Sequence, residues 1–423
     1  MRFARAKVTA VKLAALVGAV GCGLWLIATP TSASSDLQQG ATFTSRVNML
    51  PLDVMVVDRN GEPILGLLPS DFSVSINRKE RRVASADLVH YADMPRPLVN
   101  LAGPTSIFTP GYVSDDSRVF VLAIDDSSFS VGGLRPALQS AQRFVSNLRP
   151  SDMVGLYVFP FESARLDVTH DHRTVQAALS QLIGRRSNQQ TTYSLTPAEI
   201  IDISSGDRET LSKVVGRECV PPAGQLVDSA CPDEIRGEAN SLSMYYESEA
   251  AQRIYGLGKL IQDLGSIPGR KTVVVVSGGL MATSRIGGRP EVRGFMARLG
   301  EQAARSNVKT YVVHVDDTAN ELFSAVRQPP RRPTDYAMSM MASEFAYASG
   351  LERLATEVGG VYLSSKAGTG DLAFGRIQRE TMAYYLLGVE PSAEDWDGRK
   401  LVVTVKTRAK GATVRALREV IAK

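Results

Sequence analysis

The sequence predicts an α/β protein built around a doubly wound, mostly parallel sheet, with small β modules before and after it. From Arg118 onward, continuous apolar runs alternate with amphipathic stretches, which is the pattern of βαβ units. Toward both ends of the chain, apolar residues instead alternate singly with polar ones, as in half-buried strands. With 423 residues, 44% of them hydrophobic and 22% charged, the chain is long enough for several packed cores.

The amino terminus resembles an export signal. Basic residues between Arg2 and Lys12 precede an apolar run at Leu13–Ala28 and the small residues Thr31–Ala33. This pattern predicts a signal peptide over residues 1–33, with an uncleaved membrane anchor as the alternative. Either predicts an exported protein that is periplasmic, secreted or anchored outside the cytoplasm. The formal net charge of +4 is concentrated here, and the rest lacks the basic stripe that nucleic-acid binding needs.

An N-terminal β module is predicted over residues 34–95. Leu52–Val57 and Asp71–Ile76 show the alternation of strands, and Asp58–Gly61 has the composition of a turn. Residues 96–117 are predicted to be a linker, because proline and glycine interrupt any sustained period there.

The α/β domain is predicted over residues 118–368. Val119–Ile124 is continuously apolar, as expected of a central strand covered on both faces. Further strands are predicted at Met153–Phe159, Ala164–Val168, Thr272–Val276, Thr310–Val315 and Gly360–Leu363, and helices at Leu134–Leu148, Val175–Ile183, in a long segment ending near Leu264, at Val292–Ala304 and at Leu351–Val358.

A polar insertion is predicted within this domain at about residues 184–237. It contains Cys219 and Cys231 on either side of a segment rich in proline and glycine. In an oxidising compartment we expect these cysteines to form a disulfide, the alternative being two unrelated thiols. A zinc site is excluded, because no further cysteine or histidine lies nearby in the sequence.

Residues 369–423 are predicted to form a C-terminal helix, near Leu372–Thr381, followed by a second β module. Each β module alone offers few strands for an independent core. We therefore expect the C-terminal module to pack on the N-terminal one, with the α/β domain inserted between them. Independent folding of the domain and of the pooled modules, without contact between the modules, would contradict this hypothesis.

A candidate metal site follows the first strand of the α/β domain. The segment Asp125–Ser130 resembles the metal-ion-dependent adhesion site of von Willebrand factor A-type (VWA) domains, whose pattern is Asp-x-Ser-x-Ser, with matches at Asp126, Ser128 and Ser130. Their oxygen atoms suit Mg²⁺, or alternatively Mn²⁺ or Ca²⁺. The loop follows the carboxyl end of a parallel strand, where open α/β sheets bind ligands.

The resemblance implies two further ligands. A threonine from a later loop is expected at Thr192, with Thr191 as the alternative. An aspartate is expected after the next central strand, but Gly278 occupies that position, so the resemblance is partly degenerate. Asp125 and Asp316 are candidate additional ligands, since each ends a predicted strand at the same edge of the sheet.

Other interpretations of these residues remain open. Asp125 paired with Ser127 would shift the motif by one position, although Phe129 then replaces the second serine. Asp126 and the serines are also residues that commonly form turns and helix caps without binding a metal. Asp316 and Asp317 can likewise cap a helix.

The mature chain as a whole resembles the bacterial VWFA-related domain proteins. The resemblance rests on three groups of sequence segments: Val56–Gly61 with Asp71-Phe72, Gly269–Thr272 before a central strand, and Tyr384–Gly388 near the end of the chain. The resemblance implies a VWA (Rossmann-like) fold more firmly than it implies a function, because this group mostly lacks assigned activities.

The sequence favours binding over catalysis. The chain contains no phosphate-binding glycine loop, and Ser277 lacks the first glycine of a hydrolase nucleophile elbow. We therefore predict an exported adhesion or assembly module, not an enzyme, that binds a protein partner whose carboxylate completes the metal shell. A metal-free structural scaffold of an envelope complex is the alternative, favoured by Gly278, and a hydrolase is a third hypothesis.

Overall fold

The computed structural model of the chain describes residues 49–91, 117–187, 191–219, 229–283, 288–317, 333–396, 400–417 and 419–421. All of them belong to one compact unit. The predicted signal segment, residues 1–33, lies outside the described residues, as does the predicted linker apart from Ser117. Among the described residues, no helix is both long and apolar enough to cross a bilayer.

The described strands and helices follow one another as an antiparallel region, an α/β region and a second antiparallel region. The strands are β1 (Leu50–Val57), β2 (Phe72–Ile76), β3 (Lys79–Arg81), β4 (Val83–His90), β5 (Val119–Asp125), β6 (Met153–Phe159), β7 (Arg165–Thr169), β8 (Lys271–Ser277), β9 (Val308–Asp316), β10 (Val361–Lys366), β11 (Ala383–Val389), β12 (Lys400–Thr407), β13 (Thr413–Ala416) and β14 (Glu419–Ile421). The helices are α1 (Arg135–Ser146), α2 (His172–Ser180), α3 (Pro197–Ser204), α4 (Arg208–Glu218), α5 (Cys231–Leu264), α6 (Arg293–Arg305), α7 (Pro333–Glu357) and α8 (Gly370–Glu380).

The central sheet has six strands in the order β10-β9-β8-β5-β6-β7. All neighbours are parallel except β7, which runs antiparallel to β6 at one edge. The prediction of a doubly wound, mostly parallel sheet is confirmed. From β5 the chain continues to β6, on one side of β5 in the sheet, and it later adds β8 on the other side. Because the connections after β5 and β8 run in opposite directions, a crevice opens between the carboxyl ends of these two strands. We call this place the switch point.

Both faces of the central sheet are buried under helices. Along β8, Val273 and Val275 belong to the core beneath α5, α6 and α7, whereas Val274 and Val276 belong to the core beneath α1, α2 and α8. Successive side chains of a strand point to opposite faces, so a strand buried on both faces must be apolar at every position. This is why the continuous apolar runs predicted the strands of this sheet.

The two flanking regions share two four-stranded antiparallel sheets. In one, β1 lies between β11 and β13, and in the other, β12 lies between β2 and β14. The two sheets enclose a core that includes Leu52, Val74, Leu387 and Val403. Alternation along β1 places Met55 on the opposite face, where it joins the core of the α/β domain. The flanks therefore form one β-sandwich that packs against the central domain.

The polar insertion contains a small helical core. α3, α4 and the first turns of α5 enclose Leu195, Ile200, Val214 and Ile235. Cys219, at the end of α4, forms a disulfide with Cys231, the first residue of α5, with a Cα–Cα distance of 6.0 Å. The disulfide expected from the sequence is therefore present in the structure.

Helix α7 differs most from its sequence-based prediction. It was predicted from Leu351 but begins at Pro333. Its added length buries Met340 and Ser343, which do not form an apolar repeat. A Cβ atom on Gly350 would lie 1.8 Å from the carbonyl oxygen of Leu280, so only glycine allows the helix to lie this close to the loop after β8. A close approach at a small residue, rather than apolar periodicity, therefore marks the part of this helix before Leu351.

Lys271 predicts a pH dependence of stability. Its side chain is buried at the start of β8, where the Nζ atom donates to the carbonyl oxygen of Ile267 at 2.8 Å. Burial lowers the pKa of Lys271 from 10.5 to about 8, and the charge of Asp53 opposes the shift only in part. Between these pKa values the unfolded chain binds more protons than the folded chain, so the free energy of unfolding rises with pH. We expect this group to contribute an increase of about 1 kcal/mol between pH 7.5 and 9.

The measurement is urea unfolding of the native chain and of Lys271→Met across this pH range. The difference in unfolding free energy between the two proteins should change by the expected amount. Tyr91 and Tyr311, whose pKa values burial raises, stay protonated in this window and do not contribute. Parallel pH profiles for the two proteins would refute the assignment to Lys271.

Candidate functional site

The switch point is organised by Asp125, the last residue of β5. Its buried carboxylate accepts hydrogen bonds from the hydroxyls of Ser127, at 2.8 Å, and Ser277, at 2.8 Å. Ser127 belongs to the loop after β5, whereas Ser277 ends β8. Asp125 therefore connects the two strands that flank the crevice.

A guanidinium group from α5 lies beside this carboxylate. Arg253 is buried and donates to the carbonyl oxygens of Gly279, at 3.0 Å, and Ser127, at 3.2 Å. Its Nε atom lies 3.9 Å from Oδ1 of Asp125, and its Nη2 atom lies 3.6 Å from Oε2 of Glu249. A positive charge that belongs to the protein thus already stands between the loops after β5 and β8.

Asp126 is directed away from the crevice, toward the β6 side of the sheet. Its Oδ2 atom accepts from the hydroxyl of Ser163 at 2.8 Å and lies 3.4 Å from Nε of Arg185. Burial raises the pKa of the Asp126 carboxyl, while Ser163 and Arg185 act in the opposite direction. Asp125 rather than Asp126 is therefore the carboxylate at the switch point.

The remaining residues of the predicted metal shell have separate partners. The Ser128 hydroxyl donates to the main-chain oxygen of Asp125 and accepts from the amide of Gly278, both at 2.8 Å. The Ser130 hydroxyl donates to Asp317 at 3.5 Å, so Asp317 contacts this loop.

The main chain of Thr192 is bound by α5. Its amide donates to the carboxylate of Glu238, on α5, at 2.6 Å, and it is Thr191 that lines the crevice. Each of Asp126, Ser128, Ser130 and Thr192 therefore has at least one polar partner outside the predicted ligand set.

Gly278 leaves no room for the aspartate that the VWA pattern has at this position. A Cβ atom there would lie 2.8 Å from the carbonyl oxygen of Ser128 and 3.1 Å from the ring of Phe129. The amide of Gly278 is in turn used by the Ser128 hydroxyl. The glycine is thus part of the close packing between the two loops, and a carboxylate would have to displace one of them.

The residues at the switch point do not fit a divalent cation in the expected position. A cation on Asp125 would share that carboxylate with the Arg253 guanidinium, whose Nε atom lies 3.9 Å from Oδ1, and the two positive charges would repel each other. Within the described ranges, no group of at least three histidine, cysteine, aspartate or glutamate residues is arranged to hold a metal ion.

The loop after β5 was predicted from the sequence, whereas Arg253, Ser163 and Glu249 were not. One signal for Arg253 was available. Ala250, Arg253, Ile254 and Leu257 have the spacing of one buried helix face, and an arginine on such a face requires a partner. The identity of that partner, Asp125, depends on the tertiary structure.

Three exposed apolar side chains lie close in sequence to the residues that meet at Asp126. Val131, Phe161 and Ile183 are 73%, 68% and 57% exposed. The segments that carry them meet at Asp126, which contacts Ser163 through its side chain and accepts from the Arg185 amide at 2.7 Å through its main chain. We call these three residues the apolar rim.

The strand order and the antiparallel edge strand define the class of the central domain as a doubly wound α/β domain of VWA type. No protein family and no curated protein matches the sequence. Among solved structures, the chain is similar to the VWA domain of SpRpn10, with 11% identity, a TM-score of 0.26 and coverage of 63% of this chain and 96% of that chain. It is also similar to the human COPII-coat protein Sec24c, with 7% identity, a TM-score of 0.27 and coverage of 72% of this chain and 43% of that chain.

Proposed function

We propose that this chain is an exported protein-binding module, used in adhesion or assembly, that recognises its partner at the carboxyl edge of the VWA-type domain without a bound metal ion. The observation that carries the proposal is the apolar rim, Val131, Phe161 and Ile183, at the edge where open α/β sheets bind ligands. Large exposed apolar side chains grouped around a polar centre are typical of surfaces that bind proteins.

The polar centre inside the rim suits binding better than catalysis. The Ser277 hydroxyl is buried and donates to Asp125, so it is held as a structural link rather than presented as a nucleophile. The Asp126 carboxylate is buried against Ser163 and Arg185. These bonds hold together the segments that carry Val131, Phe161 and Ile183. The rim is therefore preorganised, and these segments lose little conformational entropy when a partner binds.

Site-specific photo-crosslinking tests the proposal. A photoreactive phenylalanine analogue replaces Phe161 in one protein and Leu372 in a control, and both are expressed in the producing cell. Leu372 is the control because it is similarly exposed, at 78%, but lies on α8, which carries none of the three rim residues. We expect a protein to be captured at position 161 only, and to be identified by mass spectrometry.

The identified protein is then titrated with the purified chain. Phe161→Ser is expected to weaken binding by about tenfold or more, whereas Leu372→Ser changes it little. Excess chelator should leave the affinity unchanged, whereas the metal-dependent alternative predicts its loss and its recovery with Mg²⁺, Mn²⁺ or Ca²⁺. Equal capture at both positions, or binding that ignores Phe161→Ser, would overturn the proposed surface.

A further inference from the structure

We infer that Arg253 is the resident cation of the switch point and occupies a latent divalent-cation site, which its removal would open. The inference deepens the proposed function, because it assigns metal independence to one residue. It rests on the oxygen atoms that surround the guanidinium and on the place of Arg253 in the fold.

The surroundings of Arg253 are those of a hard cation. Its guanidinium faces carboxylate oxygens of Asp125 and Glu249, at 3.9 and 3.6 Å, and carbonyl oxygens of Ser127 and Gly279, at 3.2 and 3.0 Å. Carboxylate and carbonyl oxygens are the ligands that Mg²⁺, Mn²⁺ and Ca²⁺ use in proteins. The Nε atom of Arg253 is buried and has no hydrogen-bond partner. Its interaction with Asp125 is therefore one of charge alone.

These oxygens come from three separate parts of the chain. Asp125 and Ser127 lie at the end of β5, Gly279 follows β8, and Glu249 lies one turn before Arg253 on α5. Without the guanidinium, the carboxylates of Asp125 and Glu249 would lose the arginine that lies within 4 Å of each of them. A divalent ion in the vacated space would replace that positive charge and reconnect the loops.

The test is titration of the metal-stripped full-length chain with Mn²⁺. Binding is monitored by calorimetry and by the electron paramagnetic resonance signal of free Mn²⁺. Arg253→Ala is expected to bind one Mn²⁺ at least about tenfold more tightly than the native chain. Arg253→Lys is the matched control, since it keeps a cation at the site and should not gain binding. Adding Asp125→Asn to Arg253→Ala should abolish the gain.

Circular dichroism establishes that each variant is folded, and Arg253→Gln replaces Arg253→Ala if the alanine variant is not. A folded Arg253→Ala or Arg253→Gln protein that binds Mn²⁺ no better than the native chain overturns the inference. If neither variant folds, the native chain decides: stoichiometric Mn²⁺ binding that Asp125→Asn removes overturns the inference, and its absence supports it. Loss of the proposed partner surface would instead appear in the Phe161 measurements, which do not involve Arg253.

Discussion

Replacing Glu380 with alanine is expected to lower the free energy of unfolding by about 3–5 kcal/mol. Glu380 is fully buried near the end of α8. Its Oε1 atom accepts from Nε of Arg376 at 2.8 Å and from Nη2 of Arg415 at 3.0 Å, and its Oε2 atom accepts from the hydroxyl of Tyr311 at 3.0 Å. Alanine would leave two guanidinium groups and a buried hydroxyl without their shared acceptor, which is why the expected loss is large.

Because of the position of Glu380, this variant tests how strongly the sandwich is bound to the α/β domain. Arg415 lies on β13 of the sandwich and Tyr311 on β9 of the central sheet, so the carboxylate connects the sandwich with the α/β domain. Urea unfolding followed by circular dichroism measures the change. Asp371→Ala is the matched control on the same helix, because Asp371 and Arg143 form a pair that is half exposed. The control should lose less than about 1 kcal/mol, and similar losses in the two variants would show that burial of Glu380 does not set its contribution.

The second large effect is expected from the disulfide in the insertion. The bond between Cys219 and Cys231 spans 12 residues of sequence. Closing a loop of this length stabilises a folded unit by about 3 kcal/mol in the chain-entropy account. The double variant Cys219→Ser/Cys231→Ser should therefore lose about this amount of local stability in α3, α4 and the start of α5.

Hydrogen exchange resolved by mass spectrometry is the measurement, because it separates local from global opening. Peptides from α3 and α4 should exchange faster in the double variant, and dithiothreitol should have the same effect on the native chain. Peptides from β5 and β8 serve as the internal control and should keep their protection. Unchanged exchange in α3 and α4 would mean that the core around Ile200 and Val214 holds the insertion without the bond.

Much of the fold could be predicted because burial on both faces leaves a strong pattern in the sequence. β6 was predicted at Met153–Phe159 and lies there, since every residue of a central strand must be apolar. The beginning of α7 was missed because its contacts depend on small residues such as Gly350, and small residues give no periodic signal. The insertion could not be ordered for a related reason, since its core is small and draws on Ile235 of α5.

The sequence by itself determined that the chain contains a doubly wound sheet and that a polar loop, Asp125–Ser130, follows its first strand. Only the tertiary structure decided which carboxylate faces the switch point. Successive residues at a strand end point to opposite sides, so one position separates Asp125, which meets Ser277, from Asp126, which meets Ser163. It also placed Arg253 beside Asp125, because residues far apart in the chain become neighbours only when α5 packs across the sheet. The character of the site depends on that pair, and no local pattern in the sequence encodes it.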